Sequence, residues 1–265
     1  MSKHKKQQHV ITHPLWLCGD THGCFDHVVE HFLNARRDGV TPHLVFLGDM
    51  ECAQAFDLEL QEIREITDVW FIHGNHDTDT SQAWNALASS AWADKNLHGY
   101  VKEISGRSVA GLGGVFRSSI WAPPAPPVFA FYQAFRRDLL TRRPPKDWGL
   151  KETKKERQHF STIFPDVYSR LMTCRAQVLV THEAPSCHAY GWQAIDNLAV
   201  SLGVSYVLHG HLHETRIYPR QGTCQVVGVG YRGIVSLETD DSISVIRAGD
   251  YDATGGLNEQ EVESE

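Results

Sequence analysis

The sequence lacks any long apolar run, and this absence excludes a simple membrane helix. No stretch of its 265 residues approaches the ~18 consecutive apolar residues that such a helix needs. The basic N-terminal segment, residues 1–14, has no apolar core of the kind found in a secretory signal. With 42% hydrophobic and 22% charged residues, the composition is typical of a soluble globular protein. We therefore expect a cytoplasmic protein without membrane contact.

Closely spaced cysteines are also absent. The six cysteines are scattered, with no C-x-x-C pair, so the spacing predicts neither a disulfide framework nor a cysteine-based metal site. Free thiols are the simpler interpretation, including those of Cys18, Cys24 and Cys52, which lie close to the motifs discussed below. No internal repeat is visible. The chain is nevertheless long enough to bury a substantial core.

Short apolar runs alternate with helical patterns through much of the chain. Helical spacing of apolar residues over 28–33 and 56–66 follows the first two runs. This rhythm predicts an α/β core with buried strands, and glycine-broken segments over 215–246 suggest further, antiparallel strands. The main apolar runs lie at residues 15–18, 44–47, 69–72, 177–180 and 206–208.

The pattern changes in the middle of the chain. Residues 115–164 contain a proline-rich segment and helical patterns at 129–140 and 153–174, the second extending beyond them. We interpret 115–164 as a helical cap inserted over one face of the core. We predict a single domain over 1–250, followed by a disordered acidic tail at 251–265.

Residues that suit metal binding follow five of the apolar runs. Each is a carboxylate, amide or imidazole of the kind that binds hard or borderline metals. Any one alone has an ordinary explanation, such as a turn, a helix cap or a hydrogen-bonded loop, but their ordered recurrence is improbable by chance. Residues i and i+2 of an extended segment point to the same side, so neighbouring pairs can reach one ion. The seven candidate ligands are Asp20, His22, Asp49, Asn75, His182, His211 and His213.

With their neighbours, these residues resemble the five signature blocks of the calcineurin-like metallophosphoesterase superfamily. The similarity runs from about residue 15 to about residue 240. It implies an α/β, or α+β, fold in which two packed β-sheets are flanked by helices, a four-layer sandwich. The blocks are G-D-T-H-G from residue 19, G-D from 48, G-N-H-D from 74, T-H-E-A-P from 181 and G-H-L-H from 210.

The resemblance also implies a binuclear metal centre in which the two ions share an attacking hydroxide. His76 would be the general acid for the leaving group, with Asp77 as a candidate orienting partner. Two divalent ions are expected, Mn first, with Fe, Zn or Ni as alternatives, because mixed oxygen and nitrogen ligands do not choose among them. One ion would take Asp20, His22, Asp49 and His213, and the other Asp49, Asn75, His182 and His211, with Asp49 bridging.

One block departs from the family pattern. The family often has an acid three residues after the aspartate of the second block, and phosphoprotein phosphatases add an arginine that clamps phosphate. Here Asp49 is followed by Met50, Glu51, Cys52 and Ala53. The departure argues against protein serine/threonine phosphatase activity. It also leaves open which acid orients His76, since Glu51 could take that role only if the turn had a different conformation.

The net charge of −7 is unevenly spread. From Arg136 to Arg157 there are nine basic and four acidic residues. Two interpretations stay open: solvated helix faces, or a lid that brings Arg136, Arg142 or Arg143 to phosphate oxygens through bidentate hydrogen bonds. The overall negative charge argues against general coating of nucleic acid.

These observations predict an enzyme that hydrolyses phosphomonoesters or phosphodiesters, with a phosphorylated small molecule or a nucleotide as substrate. A nuclease acting on DNA or RNA is the first alternative, which the negative charge disfavours. A non-catalytic metal-binding scaffold is the second, which the presence of His76 and all seven ligands disfavours. The natural substrate, the metal and the oligomeric state stay open.

Overall fold

Two β-sheets form the centre of the molecule. The computed structural model describes residues 12–142, 154–220 and 222–252. The strands in these ranges are β1 (Leu15–Cys18), β2 (His43–Phe46), β3 (Val69–Phe71), β4 (Val101–Ile104), β5 (Arg107–Leu112), β6 (Val178–Thr181), β7 (Tyr206–His209), β8 (Arg216–Ile217), β9 (Gln225–Gly228), β10 (Ile234–Leu237) and β11 (Ile243–Arg247).

Parallel strands occupy the middle of both sheets. The first sheet has the order β11-β10-β1-β2-β3, with β1, β2 and β3 parallel and β10 and β11 antiparallel. The second has the order β4-β5-β6-β7-β9-β8, with antiparallel strands at both edges. Antiparallel pairing near the chain end is confirmed for β8 with β9 and for β10 with β11, but the other neighbour of β9 is β7, to which it runs parallel. Residues 210–224 provide the long connection that parallel neighbours need.

The helices differ from the predicted ones at two places. The helix predicted over 56–66 ends at Glu59 and continues as turns. The pattern at 153–174 is broken, because Pro165 lacks the N–H that would continue a helix but suits the start of a new one. The helices are α1 (Asp26–Arg37), α2 (Phe56–Glu59), α3 (Ser81–Ala88), α4 (Tyr132–Arg142), α5 (Lys154–Gln158), α6 (Pro165–Leu171) and α7 (Gln193–Leu202), with 3-10 turns at His76–Thr78, Ala93–Lys95 and His159–Ser161.

Successive side chains of each strand point to opposite faces of the sheet, and this alternation divides the core into layers. Leu15 and Leu17 of β1 pack between the two sheets, whereas Trp16 and Cys18 pack on the opposite face with α1. Beyond the second sheet, Leu179 of β6 packs with α7. The result is helix, sheet, sheet, helix, which confirms the predicted four-layer sandwich. All six cysteines are free, as predicted.

The two ends of the predicted cap lie side by side. The N–H of Val115 donates to the carbonyl of Ser161 (2.8 Å), and the N–H of Ile163 donates back to Val115 (2.9 Å). Between them, Phe135 of α4 belongs to a small separate apolar cluster. The cap and its boundaries stay a prediction. Part of the cap, 143–153, lies outside the described residues, as does the predicted tail beyond Asp252. Within the described ranges, no helix is both long and apolar enough to span a bilayer.

Candidate active site

The carboxyl ends of five parallel strands meet at one place. Three belong to the first sheet, where Asp20 follows β1, Asp49 follows β2 and Asn75 follows β3. Two belong to the second sheet, where His182 follows β6 and His211 follows β7. Parallel strands end at the same sheet edge, so the topology brings these predicted ligands together.

A contact between Asp49 and His182 forms the centre of the site. Nε2 of His182 lies 3.2 Å from Oδ2 of Asp49 and 2.9 Å from Oδ1 of Asn75. The His182 ring lies 4.8 Å from that of His211, and its Nδ1 lies 3.7 Å from Oδ1 of Asp20. Asp49, His182 and His211 offer donor atoms within 4.8 Å of one another. Mixed oxygen and nitrogen donors at this spacing suit a borderline divalent ion.

The main chain orients His182. Its Nδ1 lies 2.8 Å from the carbonyl oxygen of Leu47, and because a carbonyl only accepts, Nδ1 carries the proton. Nε2 is then the ring nitrogen that faces Asp49, and it would bind a metal ion in place of its own proton. A Cβ on Gly48 would collide with this ring, and one on Gly74 would collide with the Asp49 carboxylate. Only glycine permits these close approaches.

A second group of predicted ligands surrounds His22. Its Nδ1 lies 2.6 Å from Oε2 of Glu51, and its ring lies 5.4 Å from that of His213. Nε2 of His22 is buried without a hydrogen-bond partner among the described residues. Nearby, both carboxylate oxygens of Asp20 accept from the main-chain N–H of His211, at 3.1 and 3.0 Å. An orphaned imidazole nitrogen beside a buried carboxylate fits a metal ligand.

Five residues of the site adopt a left-handed backbone, which residues other than glycine rarely do. Each such conformation costs on the order of 1–3 kcal/mol and persists where the surrounding structure enforces it. Their concentration here marks a functional site independently of the side-chain contacts. The φ angles are 42° at His22, 50° at Asp49, 45° at Glu51, 69° at His211 and 54° at His213.

Negative charge dominates the buried centre. Burial alone would raise the pKa of the Asp49 carboxyl, but neighbouring His182 holds it well below its usual range. Burial alone would lower the pKa of His182, but Asp49 and Asp20 outweigh it and raise that pKa to about 10. Burial raises the pKa of Asp20 itself. Carboxylates that hold a proton on an imidazole this firmly also favour a metal cation, so the residues present fit divalent ions.

The predicted general acid, His76, lies beside this centre. Its main-chain N–H donates to Oδ1 of Asp49 (2.8 Å), and its Nδ1 lies 2.8 Å from Oδ2 of Asp79. Burial alone would lower the pKa of His76, but Asp49 and Asp79 outweigh it, and the net shift is upward. The side chain is 43% exposed, so a substrate can reach it.

Asp77 does not orient His76, and that expectation is wrong. Asp77 is buried and accepts from the main-chain N–H groups of Gly74 (2.8 Å) and Glu51 (2.9 Å). It therefore joins two loops that carry predicted ligands, and burial raises its pKa to about 7. The carboxylate that contacts His76 belongs to Asp79 instead, because a 3-10 turn brings residues three apart onto one side.

Sequence reasoning missed Asp79 and Tyr231, and it considered Glu51 only as a partner for His76. Glu51 bonds to His22 instead, and Asp79 bonds to His76. The Tyr231 ring lies 5.0 Å from the rings of both His22 and His213 and forms part of the wall. The spacing of three from His76 was a usable signal for Asp79, whereas Tyr231 lies outside the motif blocks and offered none.

The cap arginines have carboxylate partners within the cap. Nε of Arg136 lies 2.7 Å from Oε1 of Glu156, and Nε of Arg142 lies 2.9 Å from Oδ1 of Asp138, one turn earlier on α4. These pairs agree with solvated helix faces, and substrate binding by either arginine stays a prediction. Arg143, the third predicted contact, lies outside the described residues.

Two comparisons with known sequences cover most of this chain. The family model described as calcineurin-like phosphoesterase matches residues 13–215. An uncharacterized protein from Haemophilus influenzae is 36% identical over 224 residues, which cover 83% of this chain and 92% of that protein.

Solved structures provide a comparison of folds. A dimetal phosphatase from Danio rerio has a TM-score of 0.53 at 13% identity, covering 92% of this chain and 98% of its own, and supports the fold. A 5'-nucleotidase from Candida albicans has a TM-score of 0.49 at 13% identity and covers 88% of this chain. The present chain spans about half of that nucleotidase, 51%.

Proposed function

Because this chain belongs to the calcineurin-like phosphoesterase family and is a metal-dependent hydrolase, we propose that it holds two divalent ions and hydrolyses small phosphate monoesters or diesters. Phosphorylated metabolites and nucleotides are the proposed substrate class, and Mn is the proposed metal. The observation that carries the proposal is the donor cluster of Asp49, His182 and His211 at the meeting point of the two sheets.

Asp49 is the proposed bridging ligand. Its Oδ2 lies 3.2 Å from Nε2 of His182 on one side. On the other side, its carbonyl accepts from the main-chain N–H of His22 (2.9 Å), which draws the His22 loop against it. In this proposal one ion takes Asp20, His22, Asp49 and His213, and the other takes Asp49, Asn75, His182 and His211.

Beside the proposed metal ligands, His76, Asp79 and Asp77 have separate roles in this proposal. Bound ions supply Lewis acidity that activates water and neutralises the charge of phosphate oxygens. Asp79 accepts a hydrogen bond from Nδ1–H of His76, and Nε2–H of the protonated ring is then free to donate to the departing oxygen. Proton donation of this kind contributes roughly 10²- to 10⁴-fold to a rate. Asp77 holds the loops of Gly74 and Glu51 in register.

Charge favours a small substrate over nucleic acid. The net charge is −7, and Arg136 and Arg142 are already paired with cap carboxylates. Nucleic-acid binding depends on a basic surface that neutralises many phosphates. We therefore rank nuclease activity below small-ester hydrolysis.

A substrate panel tests the proposal. The protein is stripped of metal, reloaded with Mn, and assayed with p-nitrophenyl phosphate, bis-p-nitrophenyl phosphate and single-stranded DNA, while calorimetry measures Mn binding. We expect Mn-dependent hydrolysis of at least one nitrophenyl ester, and none by the metal-free control. Activity confined to DNA would replace the proposal with a nuclease. Mn binding without hydrolysis of any substrate would favour a scaffold.

A further inference from the structure

A buried arginine of the insertion holds the turn that presents His76. Arg157 is only 9% exposed. Its Nε donates to the carbonyl of Thr78 (2.9 Å), and its Nη2 donates to the carbonyl of Asp79 (3.0 Å). Both carbonyls belong to the segment that carries the His76–Asp79 pair. A buried guanidinium is costly unless its donors are satisfied, so these bonds fix the segment relative to the insertion.

Ser161 adds a second connection to the same turn. Its hydroxyl lies 2.8 Å from the hydroxyl of Thr78, which in turn donates to the carbonyl of Asn75 (2.8 Å). From the other end of the insertion, Arg117 donates to the carbonyl of Ser161 (3.1 Å) and to the hydroxyl of Thr162 (3.0 Å). Both ends of the insertion therefore take part in holding the turn.

The main-chain hydrogen bonds of the turn lie at the long end of the normal range. They run from Thr78 N–H to Asn75 (3.2 Å) and from Asp79 N–H to His76 (3.1 Å). Short 3-10 segments also have poorer hydrogen-bond geometry than α-helices. The direction of the His76 side chain thus depends on contacts from outside the turn.

We propose that Arg157 is a positioning residue for the reaction. By bonding to the carbonyls of Thr78 and Asp79, it fixes the turn so that His76, paired with Asp79, faces the leaving oxygen. The insertion thereby contributes to catalysis from behind the site. This inference rests on the proposed function, in which His76 donates the proton.

The dependence of the rate on the leaving group distinguishes a displaced His76 from general damage to the site. Phenolate is more basic than p-nitrophenolate, so phenyl phosphate depends more on proton donation from His76. A displaced His76 should slow phenyl phosphate selectively, whereas a damaged metal centre should slow both esters and weaken Mn binding.

The test is Arg157→Met, which keeps the apolar stem and removes the guanidinium. We expect kcat for phenyl phosphate to fall about 10-fold, kcat for p-nitrophenyl phosphate to fall less than about 3-fold, and both KM values and Mn affinity to stay within about 2-fold. Hydrogen exchange of the 76–79 amides should become faster. Arg170→Met is the control for loss of an arginine–carbonyl bond elsewhere, because Arg170, although exposed, also donates to a main-chain carbonyl, that of Gly99 (3.1 Å), away from the proposed ligands.

Each outcome decides the question. Equal slowing of both esters, or the same selective loss in Arg170→Met, would overturn the inference. If Arg157→Met does not fold, Arg157→Lys and Ser161→Ala take its place, and unchanged exchange at 76–79 in both would overturn it. If the wild type hydrolyses neither of these monoesters nor bis-p-nitrophenyl phosphate, the proposed function fails; the exchange measurement still tests whether Arg157 fixes the turn.

Discussion

Replacing Asp79 by Asn removes the carboxylate from Nδ1 of His76 while keeping the size of the side chain. His76 and Asp79 are 43% and 57% exposed, so water screens their attraction and the pair adds at most about 1 kcal/mol to stability. Its effect on the reaction is larger, because the Asn oxygen can still accept from Nδ1 but lacks the negative charge that favours protonated His76. Loss of a general acid costs roughly 10²- to 10⁴-fold, and loss of its partner's charge alone should cost about 10-fold in kcat.

Asp77→Asn should behave in the opposite way. Asp77 is buried, and its two carboxylate oxygens accept from the N–H groups of Gly74 and Glu51. An Asn side chain has one acceptor oxygen, so one buried N–H would lose its partner, at a cost of about 1–3 kcal/mol in the free energy of unfolding. We therefore expect Asp79→Asn to affect rate and Asp77→Asn to affect stability first.

The assay combines steady-state hydrolysis of phenyl and p-nitrophenyl phosphate with urea unfolding of both variants. Asp138→Asn is the control, since Asp138 also pairs with a basic side chain, Arg142, about one turn away. The reasoning is refuted if Asp79→Asn retains the full rate on phenyl phosphate, or if Asp77→Asn shows the selective loss at wild-type stability.

Three further predictions concern the surroundings of the site. Glu51→Gln should weaken Mn binding about 10-fold in calorimetry, because the 2.6 Å contact with Nδ1 of His22 orients that ligand; unchanged affinity would contradict this role. Burial lowers the pKa of His159 to about 4, below the ~6.5 of the unfolded chain. The contribution of this ring to stability is therefore fully present above about pH 6.5. About 2 kcal/mol of the free energy of unfolding is lost as the pH falls to 5. His159→Gln should reduce the loss of unfolding free energy in urea between pH 7 and pH 5, and an unchanged slope would contradict the assignment. Neutralising Arg136 and Arg142 together should raise KM for a nucleoside monophosphate more than KM for p-nitrophenyl phosphate. Equal effects on both KM values would support the interpretation of these arginines as parts of solvated helix faces.

The positions of the proposed ligands at the strand ends were predictable, because the sheet topology brings those ends together. Each apolar run became a strand, and the polar residue after it, such as Asp49 or His182, reached the shared edge. The alternation of Leu15 and Trp16 between two faces likewise follows from the period of a β-strand.

The partners of those residues were not predictable in the same way. Glu51 reaches His22 because its backbone is left-handed, a state that no pattern of residue types announces. Asp79 reaches His76 because the segment after β3 forms a 3-10 turn rather than an extended loop. Arg157 was counted as one charge of a basic cluster, and only tertiary contacts reveal its bonds to the turn.

The most direct test of the central claim is the number of metal ions that Asp49 supports. Mn-loaded wild-type protein and the Asp49→Asn variant are compared by elemental analysis and by anomalous diffraction, with turnover measured on the same samples. We predict two ions per wild-type chain, and in Asp49→Asn both loss of at least one ion and loss of turnover, because the shared carboxylate is gone. A single ion in the wild type, or an Asp49→Asn variant with two ions and a normal rate, would contradict the two-metal account.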